Sequence, residues 1–163
     1  MERVSLVIVN ELIHDKYSSS VRKASTKICS VLLDCCPTTQ NQIHLLHLLL
    51  PQIAGEINLK LEKLDFRSVK WLTKELQRCI LVMTNAKEAF LSEAETNHLI
   101  DLCVKILNTV ELDKKTRLDQ FEVQKKKLDE EDIETFFEQI ETDDKVWDYI
   151  MNLAGTLLRT MPQ

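Results

Sequence analysis

Apolar residues recur at steps of three and four along nearly the whole chain, the pattern of helices that each bury one face. Val21, Ala24, Ile28, Val31, Leu32 and Cys35 form one such stripe and predict a helix over about 19–35. Val4–Ile13 is a second apolar run ahead of it. The two are joined by His14-Asp15-Lys16-Tyr17 and a serine run whose hydroxyls can cap the following helix. Pro37 ends this first pair, because it lacks an N–H and pushes the preceding residue out of helical backbone. Ile43–Leu64 carries leucines on almost every face with Pro51 in its middle, and reads as a kinked or two-part buried helix. Asp65–Ser68 is the next turn, and Val69, Leu72, Leu76, Cys79, Ile80 and Met83 make the stripe that follows it. A third round opens at Ser92, which has capping-box spacing with Glu95, and continues through Leu99, Leu102, Cys103, Ile106, Leu107 and Val110. Its partner is a final helix with Val146, Ile150, Leu153, Leu157 and Met161 on one face.

Three helix pairs at roughly 40-residue spacing match the length of a HEAT or armadillo unit. The expected fold is therefore all-α: a right-handed α-solenoid of about three HEAT-like pairs in a single array over 1–163. The pairs are 1–36, 38–86 and 92–161, the last carrying an insertion over 111–144. A plain helical bundle has the same periodicity, and the repeat order along the chain favours the solenoid. With two glycines in 163 residues, Gly55 and Gly155, no phosphate-cradling loop or Gly-dependent hairpin can be built.

Charge changes the picture in one place. The chain has 21 Lys and Arg against 26 Asp and Glu, a formal net charge of -5. Residues 128–148 alone hold ten acids and one lysine. That segment is where a partner of opposite sign would be drawn, with a salt-sensitive and rapid encounter. The candidate contact residues are Asp129, Glu130, Glu131, Asp132, Glu134, Glu138, Glu141, Asp143 and Asp144. Ile133, Phe136, Phe137 and Ile140 are expected to form one helical face that docks on the array and turns Glu134, Glu138 and Glu141 to solvent. The Lys125-Lys126-Lys127 cluster precedes the acids at spacing suited to helical pairing of Lys126 with Glu130 and Lys127 with Glu131.

Other chemistry is thin. Cys29, Cys35, Cys36, His44 and His47 lack a C-x-x-C pair, adjacent helical cysteines project about 100° apart, and no metal or other cofactor is expected. No nucleophile elbow, H-E-x-x-H or cysteine–histidine signature occurs, so no catalytic residue is assigned and the chain is read as a non-enzyme. Crowded exposed acids stay ionised and do not make an acid/base pair. The negative charge disfavours direct nucleic-acid binding, and no run reaches the roughly 18 apolar residues of a membrane span. Five cysteines, an odd number without a signal segment, suggest a reducing compartment.

Taken in order, the apolar helix before His14-Asp15, the opening Ser20-Val21-Arg22-Lys23-Ala24, Leu32-Leu33-Asp34-Cys35 and Cys79-Ile80-Leu81-Val82-Met83 resemble the importin-beta superfamily of nuclear transport receptors, most closely its importin beta-3 branch. The resemblance continues through Leu128-Asp129-Glu130-Glu131-Asp132, Glu138, Asp143-Asp144-Lys145-Val146-Trp147 and Leu157-Leu158-Arg159-Thr160. Residues 38–64 depart from the family in leucine density. The resemblance implies a central fragment of a longer superhelix that shuttles between cytoplasm and nucleus through the nuclear pore. Its partners would be protein cargo with basic localisation signals, Phe-Gly nucleoporins and the small GTPase Ran. The alternative is a HEAT-repeat scaffold subunit organising a multiprotein complex.

Overall fold

The computed structural model describes residues 18–161, all of whose regular structure is helical. The expected helix over Val4–Ile13, and with it the first half of the first pair, lies outside the described residues. Six helices follow in order: α1 (Ser19–Thr26), α2 (Ile28–Asp34), α3 (Thr39–Glu62), α4 (Phe66–Met83), α5 (Glu93–Gln124) and α6 (Glu130–Thr160).

Five of the six described starts have a capping side chain that satisfies a free backbone N–H of the first turn. Ser18 caps α1, Thr38 caps α3, Asp65 caps α4 and Asp129 caps α6. At α5 the expected capping box is complete. Ser92 Oγ accepts from the Glu95 N–H at 3.2 Å, and Glu95 Oε2 accepts from the Ser92 N–H at 2.8 Å. Only α2 has no side-chain cap of its own. It is served across space, because the Ser30 N–H donates to Glu75 Oε1 of α4 at 2.7 Å. The turn from α3 to α4 puts Leu64 at φ 55, the left-handed position after a helix end, and the Asp65 N–H closes back on the Lys60 carbonyl at 2.9 Å.

Helix α4 organises the packing. It meets α1 and α2 on one flank, α6 on the other and α3 behind, and α5 packs on α6. The helices therefore form two layers, α1–α2, α4 and α6 in one and α3 with α5 in the other. Both expected stripes that meet at the centre are buried: Val69, Leu72, Leu76, Cys79, Ile80 and Met83 on α4, and Val146, Ile150, Leu153 and Leu157 on α6. At roughly 25 cal/mol per Å² of apolar surface, each fully buried leucine or isoleucine contributes about 2 kcal/mol. Within the second layer, polar contacts join α3 to α5. His47 Nδ1 of α3 lies 2.6 Å from Glu95 Oε1 of α5, and Lys105 Nζ donates to Asn58 Oδ1 at 2.6 Å.

One expectation needs correction, and two gain detail. The helix over 19–35 is two helices broken at Lys27, and the stripe chosen for it faces out: Val21, Ile28 and Val31 are exposed. The buried face is Ser25, Thr26, Cys29 and Leu33. Burial of those two hydroxyls is cheap because each donates within its own helix, Ser25 Oγ to the Val21 carbonyl and Thr26 Oγ1 to the Lys23 carbonyl, both at 2.8 Å. Of the two alternatives for Ile43–Leu64, a kinked helix or two parts, the structure has one helix, α3, running through Pro51. Pro51 lies on the exposed side, where the hydrogen bond it cannot make is lost facing solvent. Residues 111–144, expected as an insertion with part of it helical, are helical on both sides of a single turn. They are the distal parts of α5 and α6 with a turn over 125–129.

Candidate functional site

That helical hairpin carries the acids. No residue between Val110 and Asp143 is fully buried, so the arm projects from the core with only half-buried contacts to hold it. From Glu130 to Asp143 it is about 20 Å long at 1.5 Å per residue. Its two strands of helix are held together at the far end by rings: Phe121 of α5 stacks on Phe136 of α6 with centroids 4.0 Å apart, and Phe137 meets both edge-on. Nearer the core, Arg117 bridges the helices. Its Nε donates to Asp113 Oδ2 at 2.6 Å and its Nη2 donates to Asp143. Lys114 reaches Asp144 at 2.8 Å.

The candidate acids fall into three groups. Asp129, Glu130, Glu131 and Asp132 form the exposed start of α6, where Asp129 Oδ1 accepts from the Asp132 N–H at 2.8 Å and the carboxylates meet the positive end of the helix dipole. Part of this run's acidity is thus explained by helix initiation. Glu134, Glu138 and Glu141 are exposed along the arm. Glu141 is hydrogen-bonded to Lys145, which holds its carboxyl below the usual range. Asp144 is exposed but paired with Lys114.

Asp143 is a correction. Its side chain is 1% exposed against Arg117, so it fastens the arm and offers nothing to a partner. Burial pushes its carboxyl above the usual range, with Arg117 pulling the other way. The expected apolar face also changes. Ile133, Phe136 and Ile140 are half-buried on the α5 side, but Phe137, 100° further round the helix, is exposed. Glu130, Glu134, Phe137 and Glu141 fall within about 60° of one another on a helical projection, an acidic stripe with a ring in it. The pairing of Lys126 with Glu130 and Lys127 with Glu131 requires one continuous helix, and the turn over 125–129 removes that register. Lys125 instead pairs back to Glu122 at 2.7 Å.

Beside the arm's base, a cavity of about 390 Å³ separates it from the α3–α4 turn, with Leu64, Arg67, Glu138 and Thr142 among its walls. Among the described residues no group of three or more His, Cys, Asp or Glu is arranged to hold a metal, and no helix is long and apolar enough to cross a membrane. Cys29, Cys79 and Cys103 are buried. Burial and the nearby Glu75 push the Cys29 thiol up to about 12, and burial pushes Cys103 to about 11.

The sequence reading passed over a second charged surface. Arg67, Lys70, Lys74 and Arg78 occupy the side of α4 that no helix covers. The signal was available as the complement of the apolar stripe, at spacings of three and four between the buried positions. No family model, curated protein or solved structure matches the chain.

Proposed function

We propose that this chain is a HEAT-type segment of an importin-like nuclear transport receptor, and that the α5–α6 arm presents acids to a basic partner, either cargo with a basic localisation signal or the small GTPase Ran. On this reading the helices are right-handed α-solenoid units, Phe-Gly nucleoporins are further partners, and the protein works between cytoplasm and nucleus at the nuclear pore. The family comes from the resemblance of residues set out above.

The observation that carries the array reading is the placement of α4 between α1–α2 and α6, with α3 and α5 in a second layer. Consecutive helix pairs in a solenoid stack in that order, each against its neighbours. A second link joins successive turns: Arg22 Nη1 of α1 donates to Ser68 Oγ at 3.1 Å and lies 3.4 Å from Asp65 Oδ2 at the start of α4. Support for the arm as the contact surface is its exposure and charge. Its acids are fixed on helix, so they meet a partner without the ordering cost of a loose loop.

The test is replacement of Asp129, Glu130, Glu131 and Asp132 by Ser, which keeps a capping hydroxyl at the start of α6. Exposed pairs contribute roughly 0–1 kcal/mol each, so losing four should weaken binding of a basic cargo peptide or RanGTP about tenfold at low salt and less at high salt. Unchanged affinity and salt slope for both would remove the arm from the contact. Failure of the unaltered chain and of its longer parent to bind either one would move the reading to a scaffold subunit.

A further inference from the structure

On the side of α4 opposite α3, Arg67, Lys70, Lys74 and Arg78 follow one another at steps of three and four, so they line one face over about 16 Å. That face contains no acid, because the one acid of α4, Glu75, is buried and turned toward α2. Both flanking helices add to it. Lys74 Nζ stands 5.3 Å from the centre of the Tyr149 ring of α6. Lys70 is held below its ordinary value by burial first, and then by Lys145 of α6, Arg67 and Lys23 of α1. Cations from α1, α4 and α6 therefore converge on one half-buried lysine, with Glu141 of α6 acting the other way. Two of the surrounding charges are partly met: Lys145 by Glu141, and Arg78 by Glu75 at 3.5 Å. Among the described residues no carboxylate is bonded to Lys70 or Lys74.

We propose that this face binds an acidic peptide segment of a partner protein, laid along α4 with its carboxylates on Lys70 and Lys74. Mutual repulsion among like charges is relieved when an anion arrives, which favours occupancy of the face. An extended peptide rises about 3.3 Å per residue, so 16 Å takes about five residues. Trp71 and Tyr149 border the lysines and offer apolar contact between the charges. A nucleic acid fits less well. A phosphate strand continuing past Arg67 would run onto the arm and meet Glu138. The face adjoins the base of the acidic arm, where Glu141 acts on Lys70 and Glu138 shares a cavity with Arg67, so the peptide is placed along α4 away from those acids.

The experiment uses the whole chain and a fluorescein-labelled hexapeptide of alternating Asp and Glu, followed by anisotropy at about 0.01 M and 0.15 M salt. Binding is expected at low salt and weaker at 0.15 M. Lys70→Gln with Lys74→Gln should lower the affinity at least tenfold, and Lys70→Arg with Lys74→Arg should retain it, with helical circular dichroism unchanged in both. The triple variant Lys125→Gln, Lys126→Gln, Lys127→Gln removes more charge at the arm's tip and should stay within about twofold of the unaltered chain. No binding at low salt, or an equal loss in the tip variant, overturns the proposal. So does a short oligothymidylate that binds more tightly than the peptide and is lost in the Lys70→Gln, Lys74→Gln variant, which would make the face a nucleic-acid site.

Discussion

The core around α4 and the α5–α6 arm are built from the same kind of helix and differ in what each helix can bury. In the core, α4 has neighbours on three sides, and its fully buried residues include Val69, Leu76, Cys79, Ile80 and Met83. In the arm each helix has one neighbour. Nothing between Val110 and Asp143 is fully enclosed, and cohesion falls to three phenylalanine rings, the half-buried Ile133 and Ile140, and the Arg117 and Lys114 bridges. Local opening free energy follows apolar burial, so the arm opens at a lower cost than the core while staying helical in its ground state. The difference teaches where this molecule keeps its stability and where it can place charge. Acids that would repel one another in a compact surface are spread along a projecting arm.

The largest effect should come from the core. Leu76→Ala removes a fully buried side chain between α4 and its neighbours and should cost about 4 kcal/mol of unfolding free energy, read from a denaturant midpoint. Asp143→Ala attacks the junction of the two regions. It leaves the half-buried Arg117 with Asp113 alone and should cost about 3 kcal/mol, with the arm losing exchange protection before the core does. If Asp143→Ala is silent, the bridge does not fasten the arm.

The thiols report on the core alone. Cys29, Cys79 and Cys103 have folded values above those of the unfolded chain. Below about pH 8.5 they are protonated in both states and give no pH dependence. Above it the unfolded chain releases protons that the folded chain keeps, so stability falls with rising pH, by about 1.4 kcal/mol per thiol one unit higher. Replacing the three by Ala should flatten that part of the pH–stability curve. The smallest global effect is expected from Phe136→Ala, about 1 kcal/mol or less on the main transition, because the ring it removes serves only the arm. A loss as large as that of Leu76→Ala would merge the two regions into one cooperative unit.

Much of this contrast was legible in the chain. The stripes of α4 and α6, the Ser92–Glu95 box and the interval 111–144 as a departure from the repeat all follow from spacing and charge. That interval coincides with the stretch lacking any fully buried residue, since its apolar positions are too sparse for two neighbours. The break at Lys27 and the outward turn of Val21, Ile28 and Val31 were not legible. Apolar counting gives no credit to Ser25 and Thr26, whose hydroxyls satisfy themselves inside the helix, or to Glu75, whose carboxylate replaces a missing cap from 45 residues away. Asp143 looked like its neighbours because a pair 26 residues apart leaves no local pattern.

The most direct test is residue-resolved amide hydrogen exchange of the whole chain, free and with a Lys/Arg-rich peptide at low salt. The free chain should show its slowest amides in α4 and faster exchange across 117–143. Adding the peptide should slow the arm and leave α4 unchanged, with the slowing fading as salt rises. Equal protection of arm and core in the free chain, or no change in the arm at saturating peptide, would contradict a low-stability acidic arm that serves as the contact surface.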